Sequence, residues 1–243
     1  MKPYNHFAEI YDDLTENVNY KVRSDYISGF FNKYGVPEHG IILDLACGTG
    51  SVSAEFIKKG YHITGIDLST EMLSIADNKL NGKINLINAK MQDFALSEPV
   101  DAVVCLLDSI NHLESEKDVA ECFKCVYNSL KENGLFIFDV NTVYKHNYVL
   151  CNNSFVFDEE NYFLSWDNEL LENNKVRILL DIFMFNGNNY DRFSEEFIET
   201  AYDTDNLKRL LAPYFDILGI YDELTLNEPK KDSERLYFIC KRR

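Results

Sequence analysis

"IILDLACGTGSVS", residues 41–53, runs from an apolar strand into a glycine turn and on into a helix start. A G-x-G at such a junction lets the backbone approach a ligand closely, and the flanking residues narrow which ligand. A phosphate-cradling Walker loop has Lys and then Ser or Thr after its last glycine; Ser51-Val52 stands there instead. A dinucleotide fingerprint places a third glycine or alanine where the helix packs on the strand, and this chain has Ser53. Asp44 ends the strand just before the turn. Its carboxylate opposes a pyrophosphate seated at the helix N-terminus by about 1–4 kcal/mol at a few ångströms. A ligand with an ammonium group there reverses the sign.

Outward from this stretch, short apolar strands alternate with helices. "IILDLA" (41–46), helix 51–59, "HITGID" (62–67) and helix 69–81 are followed by "INLINA" (84–89), "DAVVCLL" (101–107), helix 115–131 and "LFIFDVN" (135–141). Strands that are apolar throughout are covered on both faces, which predicts a parallel sheet with helices on each side. Ser69 and Ser115 read as N-caps, and Gly134 after "LKEN" reads as a helix C′ glycine. Upstream, Tyr4, Phe7, Ala8 and Tyr11, then Tyr26, Ile27, Phe30 and Phe31, have amphipathic helical spacing. Between 142 and 200, "YFLSWDNELL", "KVRILLDIFMF" and "YDRFSEEFIETAY" read as antiparallel strands joined by turns at 172–174 and 187–189. A helix, "TDNLKRLLAPY", precedes two closing strands, "FDILGIYDELT" and "RLYFICKR".

The chain has 243 residues, of which 46% are hydrophobic, enough to bury a substantial core. No apolar run approaches the roughly 20 residues of a membrane helix, and no secretory signal is legible, so the cytoplasm is the expected compartment. The six cysteines, several within apolar patterns, suit a reducing compartment. Cys122-x-x-Cys125 lacks a second pair at metal-ligand spacing, so no metal is expected. With 40 acidic and 24 basic residues the formal charge is −16, and the basic clusters are short. A nucleic-acid partner is disfavoured, and the acidic excess either favours cationic or neutral small partners or serves only to keep the protein soluble.

Asp67 ends the second strand in "TGIDLS", about 20 residues beyond Gly48, where an acid accepts ribose hydroxyls. After the third strand, "AKMQDF" offers Met91 beside an adenine ring and Asp93 as acceptor for its exocyclic amine. D-L-A-C-G-T-G, G-I-D-L-S followed by "EML", M-Q-D-F and "LKENGLFIFDV" together resemble class I S-adenosylmethionine-dependent methyltransferases, from about residue 40 to 141 and, through the closing hairpin, to the C-terminus. The resemblance implies an α/β fold: a seven-stranded, mostly parallel, doubly wound (Rossmann-like) sheet with a C-terminal antiparallel hairpin, N-terminal helices and an inserted small antiparallel sheet. Residues 1–141 and 201–243 would form the S-adenosylmethionine-binding domain with its helical lid (1–38), and 142–200 the insert on the substrate side. Carried over residue by residue, Asp44, Ala46, Cys47, Gly48 and Gly50 hold the methionine moiety, Asp67 and Leu68 the ribose, and Met91, Gln92 and Asp93 the adenine. Met72 packs beside the adenosine, and Leu106 and the lid tyrosines Tyr11 and Tyr20 complete the cofactor contacts. The tyrosine-rich lid and the insert look like those of the small-molecule N-methyltransferases that act on amino sugars or glycine.

Methyl transfer is a direct displacement, so aligning nucleophile and methyl, worth ~7–11 kcal/mol, outweighs a general base at 10²- to 10⁴-fold. If a base acts, "CLLDSINHL" brings Asp108 and His112 to the carboxyl edge of the sheet, the resemblance to the amino-sugar enzymes making His112 the better candidate, with Tyr11 able to orient the nucleophile. Arg177 and Arg192 in the insert read as substrate anchors or as solvated strand residues. Two other readings stay open: a nicotinamide-dependent oxidoreductase on the same strand–turn–helix, and a non-enzymatic S-adenosylmethionine-binding module.

Overall fold

A computed structural model describes residues 6–243, so Tyr4 lies outside the described residues. Two leading helices, α1 (Phe7–Leu14) and α2 (Tyr20–Tyr34), precede β1 (Ile41–Leu45), α3 (Ser51–Lys58), β2 (His62–Asp67), α4 (Thr70–Leu80) and β3 (Ile84–Asn88). β4 (Val100–Cys105), a 3-10 turn at Ser109–His112, α5 (Glu116–Ser129) and β5 (Leu130–Asn141) follow. After the insert come α6 (Thr204–Leu211), then β10 (Phe215–Asp222) and β11 (Arg235–Arg242). The seven strands lie in the order β10-β11-β5-β4-β1-β2-β3, and β11 alone runs antiparallel to its neighbours. The expected closing hairpin is there, with its second strand wedged inside and its first at the edge. Strand order reverses between β1 and β4, so the loops leaving their carboxyl ends flank one crevice, where such sheets bind ligands.

Period-two alternation divides the core. Leu43, Leu45, Val103, Cys105, Phe136 and Phe138 face α5 and α6, while Ile42, Ala102, Val104 and Ile137 face α2 and α3. Asp44 is therefore on the α2/α3 side of the sheet. Ser69 caps α4 through Met72 N–H and Ser115 caps α5 through Asp118 N–H, as the sequence indicates. Gly134 is different. α5 ends at Ser129, residues 131–134 loop out of the β4–β5 register, and Asn133, not Gly134, takes the left-handed conformation at φ 63°. Close packing explains the glycine: a Cβ on Gly134 would lie 2.9 Å from Leu130 Cδ2 and 3.1 Å from the Asp101 carbonyl oxygen.

The insert is a four-stranded antiparallel sheet of β6 (Ser154–Asp158), β7 (Tyr162–Leu170), β8 (Lys175–Phe185) and β9 (Tyr190–Thr200). β6 was not legible, because Phe155 and Val156 are both exposed and leave no alternation to read. A π-helical turn, Lys145–Leu150, leads into it. Alternate residues Val176, Ile178, Leu180 and Ile182 of β8 cluster with Phe7, Ala8 and Ile10 of α1, so the lid helix covers one face of the insert. Glu195 on β9 accepts the backbone N–H groups of His6 and Phe7 at 2.8 and 3.0 Å, capping α1 from the insert.

Gly50 precedes α3 at φ 76°, and a Cβ there would lie 3.0 Å from Leu80 Cδ1 and 3.2 Å from Ala76 Cβ. Gly50→Ala should lower stability by about 1–3 kcal/mol through backbone strain. Thermal unfolding checks this, the expected loss being at least ~2 °C.

Candidate cofactor and catalytic site

The glycine turn is built from left-handed residues: Ala46 at φ 60°, Gly48 at 53° and Gly50 at 76°. Cys47 N–H bonds the Ile66 carbonyl of β2 at 2.9 Å, and Gly50 N–H bonds the Cys47 carbonyl, also at 2.9 Å. A Cβ on Gly48 would meet nothing within 4 Å, so this edge of the turn is open to a ligand. Asp44 behind it is buried, and its Oδ2 accepts the Ser53 hydroxyl at 2.6 Å. The residue that breaks the dinucleotide pattern thus satisfies the acid that ends β1. Burial and then the nearby charge of Asp67 push the Asp44 carboxyl up to about 6.

Asp67 is held at both oxygens, accepting Gly48 N–H and Ser69 N–H at 2.8 Å each, and burial is the main cause of its raised pKa. Each oxygen keeps a further lone pair for a hydroxyl. Asn88, at the end of β3, donates to the carbonyls of Asp67 and Leu68 at 3.0 and 2.8 Å and fixes the turn that presents Leu68, which is 56% exposed. Met91 is partly buried against Cys105, sulfur to sulfur 3.8 Å. Gln92 is half-buried and Asp93 exposed on the same loop. Leu106 and Cys47 are buried, and burial pushes the Cys47 thiol well up, so it packs and does not react. Met72 is buried in the cluster of α1 and the insert.

The lid reaches the turn through a residue the sequence did not single out. Asp12 Oδ1 accepts the hydroxyls of Thr49 and Ser51 at 2.7 and 3.1 Å, and its Oδ2 pairs with Lys79 Nζ of α4 at 2.6 Å. Burial would raise the Asp12 carboxyl, but Lys79, Thr49 and Ser51 hold it below its ordinary value. The Tyr11 phenol is pushed up by burial and then by Tyr20, Asp108, Asp67 and Asp12, a set of neighbours that spans both sides of the crevice. It stays protonated and serves only as a hydrogen-bonding group. The Tyr20 hydroxyl is buried with no hydrogen-bond partner among the described residues.

Beyond β4, Leu107 and Asp108 both take left-handed φ, 57° and 54°. Their N–H groups donate to Asp139 of β5 at 2.9 and 2.7 Å. Asp139, fully buried, also accepts Arg235 of β11, whose other terminal nitrogen lies 2.6 Å from Asp108 Oδ1. Glu223 and Arg23 extend the network to α2, with Arg23 Nη2 2.7 Å from Glu223 Oε1. Burial alone would raise the Asp108 pKa, but Arg235, with Lys145 and His112, holds it below the ordinary value. His112 closes the same loop, its Nε2 3.8 Å from Glu199 Oε1 and its ring beside Phe197 at 5.3 Å between centroids. Among the described residues, Asp108, His112 and Glu199 also bring donor atoms within 4.8 Å of one another. Arg177 pairs with Glu169 and Glu196, and Arg192 with Asp181, so both arginines are engaged along the insert strands. All six cysteines are free.

A buried acid before an open glycine edge, a second acid at the end of β2, and α1 against the same turn meet at the carboxyl edge of the sheet. Residues 42–134 match the family described as "Methyltransferase domain". A putative methyltransferase, YqeM, of Bacillus subtilis is 34% identical over 97% of this chain and 95% of its own length. The crystal structure of an S-adenosylmethionine-dependent methyltransferase of Clostridium acetobutylicum superposes with a TM-score of 0.88, at 34% identity and 98% coverage of both chains. A glycine/sarcosine N-methyltransferase of Aphanothece halophytica is 32% identical over 67% of this chain and 60% of its own length. The chain belongs to the S-adenosylmethionine-dependent methyltransferases. Its methyl donor is S-adenosylmethionine, and the oxidoreductase reading falls away. No helix among the described residues is long and apolar enough to cross a membrane.

Arg235→Met removes the only cation that bonds both Asp108 and Asp139 directly among the described residues. Leaving buried carboxylates uncompensated costs about 3–5 kcal/mol. Denaturant titration should show that loss at neutral pH, and Asp139→Asn in the same background should restore part of it.

Proposed function

We propose that this enzyme methylates the nitrogen of a small-molecule amine. The observation that carries the reading is the pairing of His112 with the buried carboxylate of Glu199 at the carboxyl edge of β4, a proton acceptor beside an anion that favours a cationic acceptor. The net charge of −16 supports a small amine over a nucleic acid. The similarity to a glycine/sarcosine N-methyltransferase points the same way, and the insert, carrying Glu199, would form the substrate side.

S-adenosylmethionine supplies an electrophilic methyl group on a sulfonium. In this reading Asp44 receives its ammonium, and Ala46, Cys47, Gly48 and Gly50 line the methionine moiety with Tyr20 above them. The orphaned Tyr20 hydroxyl and the open Gly48 edge fit such a guest. Asp67 holds the ribose, Leu68, Met91, Gln92 and Asp93 surround the adenine, and Leu106 and Met72 back them. Tyr11 orients the acceptor nitrogen, and His112 takes its proton. Alignment carries most of the acceleration, ~7–11 kcal/mol, and the base adds 10²- to 10⁴-fold.

Because burial holds Asp44 up to about 6, cofactor affinity should rise as pH increases through 6 and level off above it, as the carboxylate that meets the ammonium forms. The sign for stability is opposite: between the ordinary 3.8 and about 6 the folded chain keeps a proton the unfolded chain has lost, so the fold without cofactor weakens as pH rises across that window. Calorimetric titration with S-adenosylhomocysteine at several pH values tests the first, and Asp44→Asn should bind at least tenfold more weakly with no pH step. Radiolabelled transfer to a panel of primary and secondary amines, amino acids and amino sugars should find an acceptor. Transfer confined to hydroxyl or carboxylate acceptors would refute the amine assignment.

A further inference from the structure

Glu199 is on β9, far in sequence from His112, and is 5% exposed. Its two oxygens face two imidazoles: Oε1 is 3.8 Å from Nε2 of His112, and Oε2 is 3.6 Å from Nε2 of His146. His146 is fully buried in the π-helical turn, and its Nδ1 lies 2.9 Å from the Asn174 carbonyl oxygen. A carbonyl only accepts, so the Nδ1 of His146 carries a proton. Its Nε2 and Glu199 Oε2 are both buried with no hydrogen-bond partner among the described residues. The two atoms face one another at 3.6 Å, so His146, anchored on Asn174, clamps the carboxylate. Phe197 and Glu199, two residues apart, project from one face of β9, so the strand brackets the His112 ring with an aromatic wall and an acceptor.

We propose that Glu199, clamped by His146, is a positioning residue that keeps the His112 proton on Nε2 and so makes Nδ1 the basic nitrogen of the ring. The arrangement is a second-layer carboxylate fixing an imidazole tautomer. The proposal rests on His112 acting as base in amine methylation. In that step the nitrogen lone pair forms the N–C bond while the S–C bond breaks and its electron pair goes to sulfur. The N–H proton passes to Nδ1 of His112 and then to water, and Glu199 stabilises the imidazolium in between. A gap of 3.8 Å closes to a hydrogen bond with a small rotamer change, as such contacts often tighten when substrate is bound. A cation bridging Asp108, His112 and Glu199 fits less well, because the Arg235 guanidinium already lies 2.6 Å from Asp108 Oδ1 and brings positive charge to the same place.

The test is long-range proton–nitrogen correlation spectroscopy on the full chain, labelled with ¹⁵N-histidine and saturated with S-adenosylhomocysteine, with His112 assigned through His112→Gln. The expected result is the Nε2–H tautomer for His112 in the wild type and a tautomer mixture in Glu199→Gln. S-adenosylhomocysteine affinity should stay within twofold in the variant, showing an intact fold. If Glu199→Gln does not fold, Glu199→Asp, which withdraws the carboxylate by one methylene, makes the same comparison. An Nδ1–H tautomer in the wild type, or one unmoved by either substitution, overturns the proposal. So does stoichiometric perturbation of the His112 signals by Zn²⁺ or Mg²⁺, which would make the cluster a cation site. Failure of every amine in the transfer assay would strike the amine reading while leaving the tautomer result standing.

Discussion

One guanidinium, Arg235 of β11, is held between the buried carboxylate of Asp139 of β5 and the partly buried one of Asp108 in the loop after β4. Burying that much charge is tolerable only when nearly every lone pair is used. Asp139 uses its own on Arg235 and on the N–H groups of Leu107 and Asp108, the two residues forced into left-handed backbone. The network therefore serves the loop more than the sheet. It holds a strained corner in place, and that corner delivers His112 to the crevice beside the glycine turn.

The two halves of the site differ in how they are built. The half around the glycine turn comes from residues 44–50, 67–69 and 88–93, each turn leaving a neighbouring parallel strand, so register alone brings Asp44 and Asp67 together: Asp44 pairs with Gly65 and Leu45 with Ile66. The half around His112 is assembled across long sequence distances, from the loop after β4, from β5 and β11, and from the insert strand that carries Phe197 and Glu199. Its precision depends on partners that already hold one another, with His146 and Asn174 behind Glu199 and Arg235 behind Asp108.

That contrast explains what could be read in advance. Apolar runs and turn residues carry local information, so the parallel strands, the caps at Ser69 and Ser115 and the acids after β1 and β2 were legible. Arg235, Asp139, Asp12, Glu195 and Glu199 were not, because an ion pair between residues a hundred positions apart leaves no periodicity and the same letters decorate any acidic surface. Gly134 shows the reverse error. A glycine after a helical pattern has several possible reasons to be there, and here close approach to Leu130 decided the matter, not a left-handed cap.

Asp12 carries a consequence for what the fold can accept. The N-terminus of α3 is the place where related sheets seat a phosphate, with free N–H groups and a positive dipole end. Here the lid's own carboxylate lies against the Thr49 and Ser51 hydroxyls at that end, with Lys79 behind it. The chain brings its own anion, tethered at that end. The same carboxylate that ties α1 to the glycine turn thus puts negative charge where a phosphate would otherwise sit.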